Sequence, residues 1–218
     1  MCGRFALHAT EEEITAHFKL RRGFSMRSRF NIAPTQVIPI ICDWKKQVEF
    51  ARWGLVPTWA PAEEKIPPGF INARIETLHE KPAFKKAFRS QRCLIPASGY
   101  YEWRTIAGKK QPFYISLKNT PVVAFAGLWV FWQAQNGEQI RTCAIITAPA
   151  KPFLEKLHER MPVILSSNHY DFWVSSQECN LPLESLMLEI DEPSVSISAV
   201  TPRMGRTEFE GVECITPL

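Results

Sequence analysis

Strand-like segments dominate the hydrophobic pattern of this chain. Short stretches rich in β-branched and aromatic residues recur between turn-forming residues, which is typical of β-strands. They occupy residues 36–43, 48–57, 92–105, 110–117, 122–131, 140–148 and 195–202. Pro39 weakens the first stretch, because proline cannot donate a ladder hydrogen bond. Asn136-Gly137 predicts a hairpin turn between the fifth and the sixth.

Helical patterns are few and short. Thr10 and Glu13 have the spacing of a capping box, which predicts a helix within residues 8–20. Further helices are predicted at residues 79–88, 151–161 and 166–174. The chain has no internal repeat, linker or low-complexity segment. We therefore expect an α+β fold in one domain spanning residues 1–218, with mainly antiparallel strands in curved, barrel-like sheets and short peripheral helices.

Composition narrows the class of protein. Hydrophobic residues make up 45% of the 218 residues, which is enough to bury a substantial core. No apolar run approaches the ~18 residues of a membrane helix, and the stretch "TEEEITAHF" is acidic where a signal peptide would be apolar. We expect a cytoplasmic protein with no membrane partner. The net charge of +4 permits an anionic partner but does not demand one.

Cysteine spacing excludes the common metal and redox motifs. The six cysteines are Cys2, Cys42, Cys93, Cys143, Cys179 and Cys214. None pairs with another at CxxC spacing, so we expect no metal site and no cofactor. Five of them are expected to be small buried hydrophobes in a reducing compartment.

Cys2 is the exception because of its position. If Met1 is removed, Cys2 becomes the N-terminus and carries a thiol and a free α-amine on adjacent carbons. An α-amine has a pKa of ~7.7–8.0, so about a tenth is neutral and nucleophilic at pH 7. Without further evidence, an incidental cysteine at a disordered terminus explains the same residue.

Four local clusters join a polar group to bulky or Pro/Gly neighbours. They are "MCGRF" at the start, "FINARIET", "IPASGYYEW" and "KLHERMP". Together with "NIAP" at 31–34, the segments "NARIE" at 72–76, "GYYEW" at 99–103 and "HERMP" at 158–162 resemble, in order, the motifs of the SRAP family. These SOS-response-associated peptidase-like proteins crosslink abasic DNA. The matches cover nearly the whole chain.

The resemblance implies a specific covalent reaction at Cys2. An abasic deoxyribose opens to an aldehyde, which a terminal amine attacks to form a Schiff base. The neighbouring thiol then closes a five-membered thiazolidine and removes the iminium that drives strand elimination. The implied partner is single-stranded DNA with an abasic site, bound by a monomer. The implied activity is largely single-turnover, with possible self-processing and lyase side reactions.

The resemblance also implies three further catalytic residues. His158 would be the acid/base at the sugar, although such a histidine alone is more often a surface or capping residue. Glu102 would orient the Cys2 amine and move its protons, although strand alternation could turn it outward. Asn72 would hold the amine or thiol, although asparagine also suits a turn after Pro67-Pro68-Gly69.

Candidate phosphate ligands lie beside these residues. Arg4, Arg74 and Arg160 each lie within two residues of a proposed site residue, and arginine matches phosphate geometry well. Ordinary surface charge would explain any one of them alone. Thr147 matches a family position that contacts phosphate.

Aromatic and proline residues are candidates for packing against bases. Trp103, Trp59 and Pro34 fit this role, and core packing is the alternative for each. The family often has a second aromatic residue after the position of Trp59, where this chain has Ala60.

Three other functions remain open on the sequence. An N-terminal-nucleophile amidohydrolase also begins Met-Cys-Gly, but this chain lacks the later glutamine-site motifs expected of one. A peptidase whose thiol removes only its own first residue could coexist with crosslinking. A non-covalent nucleic-acid-binding module would leave Cys2 dispensable.

Overall fold

Strands form most of the regular structure. The computed structural model describes residues 2–43, 45–175, 179 and 181–218. Within them the strands are β1 (Phe5–Leu7), β2 (Arg29–Ile32), β3 (Val37–Ile41), β4 (Val48–Trp53), β5 (Asn72–Arg74), β6 (Arg92–Ala97), β7 (Gly99–Ile106), β8 (Lys109–Leu117), β9 (Val123–Gln133), β10 (Gln139–Pro149), β11 (Arg160–Pro162), β12 (Ile164–Leu165) and β13 (Val195–Ala199). The α-helices are α1 (Glu11–Phe18), α2 (Pro82–Ser90), α3 (Pro152–Glu155) and α4 (Tyr170–Val174). No helix in these ranges is long and apolar enough to cross a membrane.

Five strands close into a barrel. Strand β10 pairs with β4, β4 with β3, β3 with β6, β6 with β9, and β9 returns to β10. Only the β10–β4 pairing in this ring is parallel. Farther along, β10 also pairs with β5 in parallel and with β11 in antiparallel orientation. The carboxyl half of β10 therefore holds two short strands that lie outside the ring.

A second sheet packs against the barrel. Its strand order is β13-β8-β7-β1-β2, and every neighbouring pair is antiparallel. The main core joins both layers: the Phe5 ring from β1 meets the Trp53 and Phe125 rings of the barrel at centroid distances of 5.3 and 6.0 Å. The predicted α+β class, with curved antiparallel sheets and short peripheral helices, is confirmed.

The predicted strand over residues 92–105 is two strands in different sheets. It divides at Ser98, with β6 in the barrel and β7 in the second sheet. The Ser98 amide donates to the Ala6 carbonyl oxygen at 2.7 Å, which anchors the crossing. The next residue, Gly99, lies so close to β8 that an added Cβ would stand 2.6 Å from the Ile115 carbonyl oxygen. Only glycine fits there without displacing backbone.

The predicted helix over residues 151–161 is wrong beyond its first turn. Helix α3 ends at Glu155, and the chain then extends into β11 from Arg160. Apolar residues at helical spacing misled the pattern, because Leu154, Leu157 and Met161 are all buried without lying on one helix. Pairing of β11 with β10 overrides the local helical preference.

The other helices follow the sequence more closely. Helix α1 begins at the predicted capping box, in which the Thr10 side chain accepts from the Glu13 amide. Helix α2 lies three residues downstream of its predicted start. The segment 166–174 is a 3₁₀ turn at Ser167–His169 followed by α4. The Asn136-Gly137 hairpin joins β9 to β10 as predicted.

Candidate functional site

Cys2 lies in the core between the two layers, with 0% of its surface exposed. All three residues of β1 are buried and apolar, so this strand draws the N-terminal segment inward. The Tyr101 amide donates to the Arg4 carbonyl oxygen at 3.0 Å, which extends the β1–β7 pairing toward the N-terminus. The same register brings Gly3 opposite Glu102, and the Glu102 carboxylate is close enough to interact electrostatically with the Cys2 thiol.

Strand alternation turns Glu102 toward the core. Tyr100, two residues earlier on β7, packs in the main core, and side chains two apart share a face. Glu102 is only 3% exposed. Burial raises the pKa of its carboxyl from 4.5 to about 7. Glu102 can therefore both accept and donate a proton near neutral pH.

The Cys2 thiol is kept protonated. Its burial, and secondly the neighbouring Glu102 carboxylate, raise the pKa of the thiol far above its usual range. The Cys2 thiol donates to the Arg4 carbonyl oxygen, with 4.0 Å between sulphur and oxygen. Burial raises the pKa of the Tyr100 phenol well above its usual range. Electrostatic interactions with Cys2 and Glu102 raise it further. Sequence reasoning missed Tyr100, which falls inside a quoted motif but looks like an ordinary core aromatic.

Asn72 ties Cys2 to the barrel. It begins β5, opposite Ile145 of β10. Its Nδ2 donates to the Cys2 carbonyl oxygen at 3.0 Å. Its Oδ1 is buried and has no hydrogen-bond partner in the described part of the chain. The turn before β5 depends on Gly69, where φ is +72° and an added Cβ would meet the Gly54 carbonyl oxygen at 2.4 Å.

His158 is half-buried just before β11. The Arg160 amide donates to His158 Nδ1 at 2.9 Å. Because Nδ1 accepts this bond, the proton of the neutral imidazole lies on Nε2. Burial lowers the pKa of His158, so the neutral ring is favoured.

Arg160 is buried and held by protein groups. Its guanidinium forms a two-pronged ion pair with Glu76 and donates to the Thr147 carbonyl oxygen at 2.6 Å. Arg160 is 8% exposed and Thr147 is fully buried. The structure thus gives these two predicted phosphate ligands partners inside the protein. Glu76 had no predicted role, and the available signal was its place at the end of the quoted segment "NARIE", two residues after Arg74.

The other two predicted arginines differ from each other. Arg4 donates to Asn31 Oδ1 at 2.6 Å and to the carbonyl oxygen of Met204 at 3.0 Å, so its side chain anchors the C-terminal segment. Arg74 ends β5 with an exposed side chain, two residues after Asn72. Of the three arginines, Arg74 is the one with an exposed side chain.

The predicted base-stacking residues do not form one wall. Trp103 shares a face of β7 with Tyr101, in a separate apolar cluster, so it faces away from Glu102. Trp59 lies in a turn after β4 and is 66% exposed. Pro34 follows β2 and is partly buried.

The remaining cysteines match the sequence expectation with one difference. Cys93, Cys143, Cys179 and Cys214 are buried, whereas Cys42 is half-buried. No group of three or more His, Cys, Asp or Glu side chains that could hold a metal ion occurs among the described residues.

The four candidate catalytic residues lie in separate segments of the chain, and one family profile spans all of these segments. The residues are Cys2, Asn72, Glu102 and His158. The profile of the SOS response associated peptidase (SRAP) family matches residues 1–207. The chain belongs to this family. It is 40% identical over 198 residues to the abasic site processing protein YoaM of Bacillus subtilis, covering 88% of this chain and 87% of that protein.

Two further matches have lower sequence identity. The abasic site processing protein YedK of Escherichia coli is 26% identical over 228 residues, and the match covers the whole of both chains. A crystal structure of a protein from Bacteroides thetaiotaomicron superposes with a TM-score of 0.86 at 22% identity, over the whole of both chains. At that identity the structural match supports the fold alone.

Proposed function

We propose that this protein binds abasic sites in single-stranded DNA and forms a covalent crosslink with them through Cys2, after removal of Met1. The names of YoaM and YedK as abasic site processing proteins support the substrate class. The observation that carries the proposal is the position of Cys2. Asn72 donates a hydrogen bond to the Cys2 carbonyl oxygen, and the buried Glu102 carboxyl nearby has a pKa of about 7.

The first step opens the sugar. The abasic deoxyribose is a cyclic hemiacetal, and its ring oxygen must gain a proton as the C1′–O4′ bond breaks. The hydroxyl on C1′ then loses its proton and becomes the aldehyde oxygen. His158 gives its Nε2 proton to the ring oxygen and takes up the proton of the C1′ hydroxyl on the same nitrogen, so the imidazole is neutral before and after the step, while its Nδ1 accepts the Arg160 amide.

The second step forms the Schiff base. The neutral α-amine of Cys2 attacks the C1′ aldehyde and gives a carbinolamine, which loses water as the C–N double bond forms. Glu102 accepts a proton from the attacking amine and returns one to the departing hydroxyl. A carboxyl whose pKa lies near neutral pH is suited to both transfers.

The third step closes the thiazolidine. The Cys2 sulphur bonds to C1′, and the electron pair of the C–N double bond moves to nitrogen. The thiol proton passes to that nitrogen through Glu102. The thiol enters this step neutral, because burial raises its pKa. Closure consumes the iminium, which would otherwise allow β-elimination at the neighbouring phosphate, a lyase side reaction.

DNA contacts place the lesion over this site. The exposed Arg74 binds a phosphate beside the abasic sugar, since it ends the strand that begins with Asn72. The exposed Trp59 stacks on a neighbouring base. Contacts to the backbone give salt-dependent affinity without sequence preference. We propose that the protein acts as a cytoplasmic monomer.

A denaturing gel tests the proposal. The protein is first verified by intact mass to lack Met1, then incubated with an oligonucleotide carrying one abasic site. Wild type should shift the DNA stoichiometrically, whereas Cys2→Ala and protein that retains Met1 should give no stable adduct. Cys143→Ala, at another buried thiol, is the matched control and should crosslink. Crosslinking by Cys2→Ala would refute the thiazolidine. Catalytic turnover of a small amide without DNA would favour the amidohydrolase instead.

A further inference from the structure

Glu76 and Arg160 form a clasp at the edge of the barrel sheet. Glu76 lies two residues after the end of β5, and Arg160 begins β11. The Glu76 carboxylate accepts from both terminal nitrogens of the Arg160 guanidinium, one of them at 3.0 Å. This pairing with Arg160 lowers the pKa of Glu76, so the carboxylate stays charged. Two-pronged pairs of this kind fix geometry as well as charge.

Strand β11 depends on this clasp for its position. It has three residues and pairs only with β10 among the described strands, at the end of the sheet. The Arg160 side chain adds a bond from β11 to the Thr147 carbonyl oxygen of β10 and two bonds to Glu76 beyond β5. A single side chain thus links three neighbouring segments. Without Glu76, the buried Arg160 guanidinium would lose the one carboxylate partner that it has among the described residues.

The backbone of Arg160 in turn sets the state of His158. Its amide donates to His158 Nδ1 at 2.9 Å, so the position of this amide decides which ring nitrogen carries the proton. A shift of the Arg160 backbone by about 1 Å would break the bond. The ring would then exchange between its two tautomers.

We propose that Glu76 is a positioning residue, which clasps Arg160 so that its amide holds His158 with the proton on Nε2. Glu76 itself does not touch the sugar. Its effect on the crosslinking rate rests on the proposed function, whereas its effect on the histidine ring does not. The two are therefore measured separately.

Nitrogen-15 NMR of the histidine ring, on DNA-free protein, tests the positioning. In wild type the two ring nitrogens of His158 should have well-separated shifts, with Nδ1 unprotonated. In Glu76→Ala the two shifts should converge as the tautomers mix. Glu159→Ala is the matched control, because it removes an exposed carboxylate next to His158 that makes no bond to Arg160. Unchanged His158 shifts in a folded Glu76→Ala would overturn the proposal, whether or not the protein crosslinks DNA.

Single-turnover crosslinking adds a second test. Glu76→Ala should slow capture of a cyclising abasic site roughly tenfold, as is usual when the partner that orients an imidazole is lost. The deficit should disappear with an aldehyde that cannot cyclise, because no ring needs opening. Glu76→Asp should recover part of the rate, and Glu159→Ala should match wild type. An equal deficit on both aldehydes would show a general structural defect and contradict the positioning role.

Discussion

The side-chain amide of Asn72 donates a hydrogen bond to the backbone carbonyl of Cys2, with 3.0 Å between nitrogen and oxygen. A strand beside the barrel thereby holds a segment that would fray on its own. The bond is made to the backbone, so it fixes the position of Cys2 without engaging the thiol.

Replacing Asn72 by alanine should separate positioning from folding. The lost hydrogen bond should cost ~0.5–1.5 kcal/mol of unfolding free energy. Crosslinking should slow by up to ~100-fold, because a misplaced nucleophile reacts poorly. Denaturant unfolding and single-turnover gels measure the two effects. Asn168→Ala, at an exposed asparagine of a 3₁₀ turn, should change neither. A wild-type rate in Asn72→Ala would show that the bond does not position Cys2 for reaction.

His158→Gln and Glu102→Gln should fail at different steps. Loss of general acid–base help typically costs ~100–10,000-fold, which is an upper guide for a slow single-turnover reaction. His158→Gln should crosslink a cyclising abasic site slowly, and its defect should shrink with an aldehyde that cannot cyclise. The Glu102→Gln defect should persist with both, because the amine must still lose a proton. Equal deficits of His158→Gln on the two substrates would remove the ring-opening role.

Glu102 should make folding stability depend on pH. Its pKa is 4.5 in the unfolded chain and about 7 in the folded protein, so the folded state binds the proton more tightly. The free-energy cost of burying the ionised carboxylate is therefore near zero below pH 4.5. This cost grows as pH rises to about 7 and is constant above that pH. At ~1.4 kcal/mol per pH unit, the full cost is about 3 kcal/mol.

The test compares unfolding free energies from about pH 5 to about pH 8. Glu102→Gln should gain stability relative to wild type as pH rises from about 5 to about 7, and the difference should then stay constant up to about pH 8. Glu138→Gln, at an exposed carboxylate in the β9–β10 hairpin, should follow wild type throughout. A Glu102→Gln difference that is independent of pH would contradict the raised pKa.

Arg74→Ala should weaken binding to single-stranded DNA evenly across sequences. Removing one phosphate contact lowers the slope of log affinity against log salt by roughly one or less. Fluorescence anisotropy at several salt concentrations measures the slope. Lys110→Ala removes an exposed cation from β8, three register positions beyond the Glu102 pair, and should leave the slope unchanged. Identical slopes for Arg74→Ala and wild type would place Arg74 outside the DNA path.

The long strands were predictable from sequence because their composition is uniform. Strands β8, β9 and β10 each have nine or more residues, and all three were predicted within a few positions. The strands β1, β5 and β11 have three residues each, too few to show any alternation. Their conformation comes from pairing with β7 and β10, which no local pattern records. These short strands carry Asn72 and Arg160 and lead to Cys2.

The motifs named residues that the fold brings together, but they did not show how each side chain is held. Cys2, Asn72 and Glu102 do meet, although they are separated by up to 100 positions along the chain. The direction of Arg160 was not predictable, because arginine in a polar motif usually faces solvent. Its burial depends on Glu76, which lies 84 positions away. Strand alternation alone places Trp103 and Glu102 on opposite faces of β7. Which of the two faces the main core depends on how β7 pairs and packs, and the sequence does not show this.

The closure of the barrel by β10 also bears on the order of events during synthesis. Cys2 leaves the ribosome first, but Asn72 follows 70 residues later and β10, which pairs with the strand of Asn72, ends at Pro149. At ~5–20 residues per second, this interval is roughly 7–30 s. Throughout this interval the fold does not yet enclose the N-terminal segment, whereas in the finished fold Cys2 is entirely enclosed. We therefore expect the proposed trimming of Met1 to precede closure of the barrel.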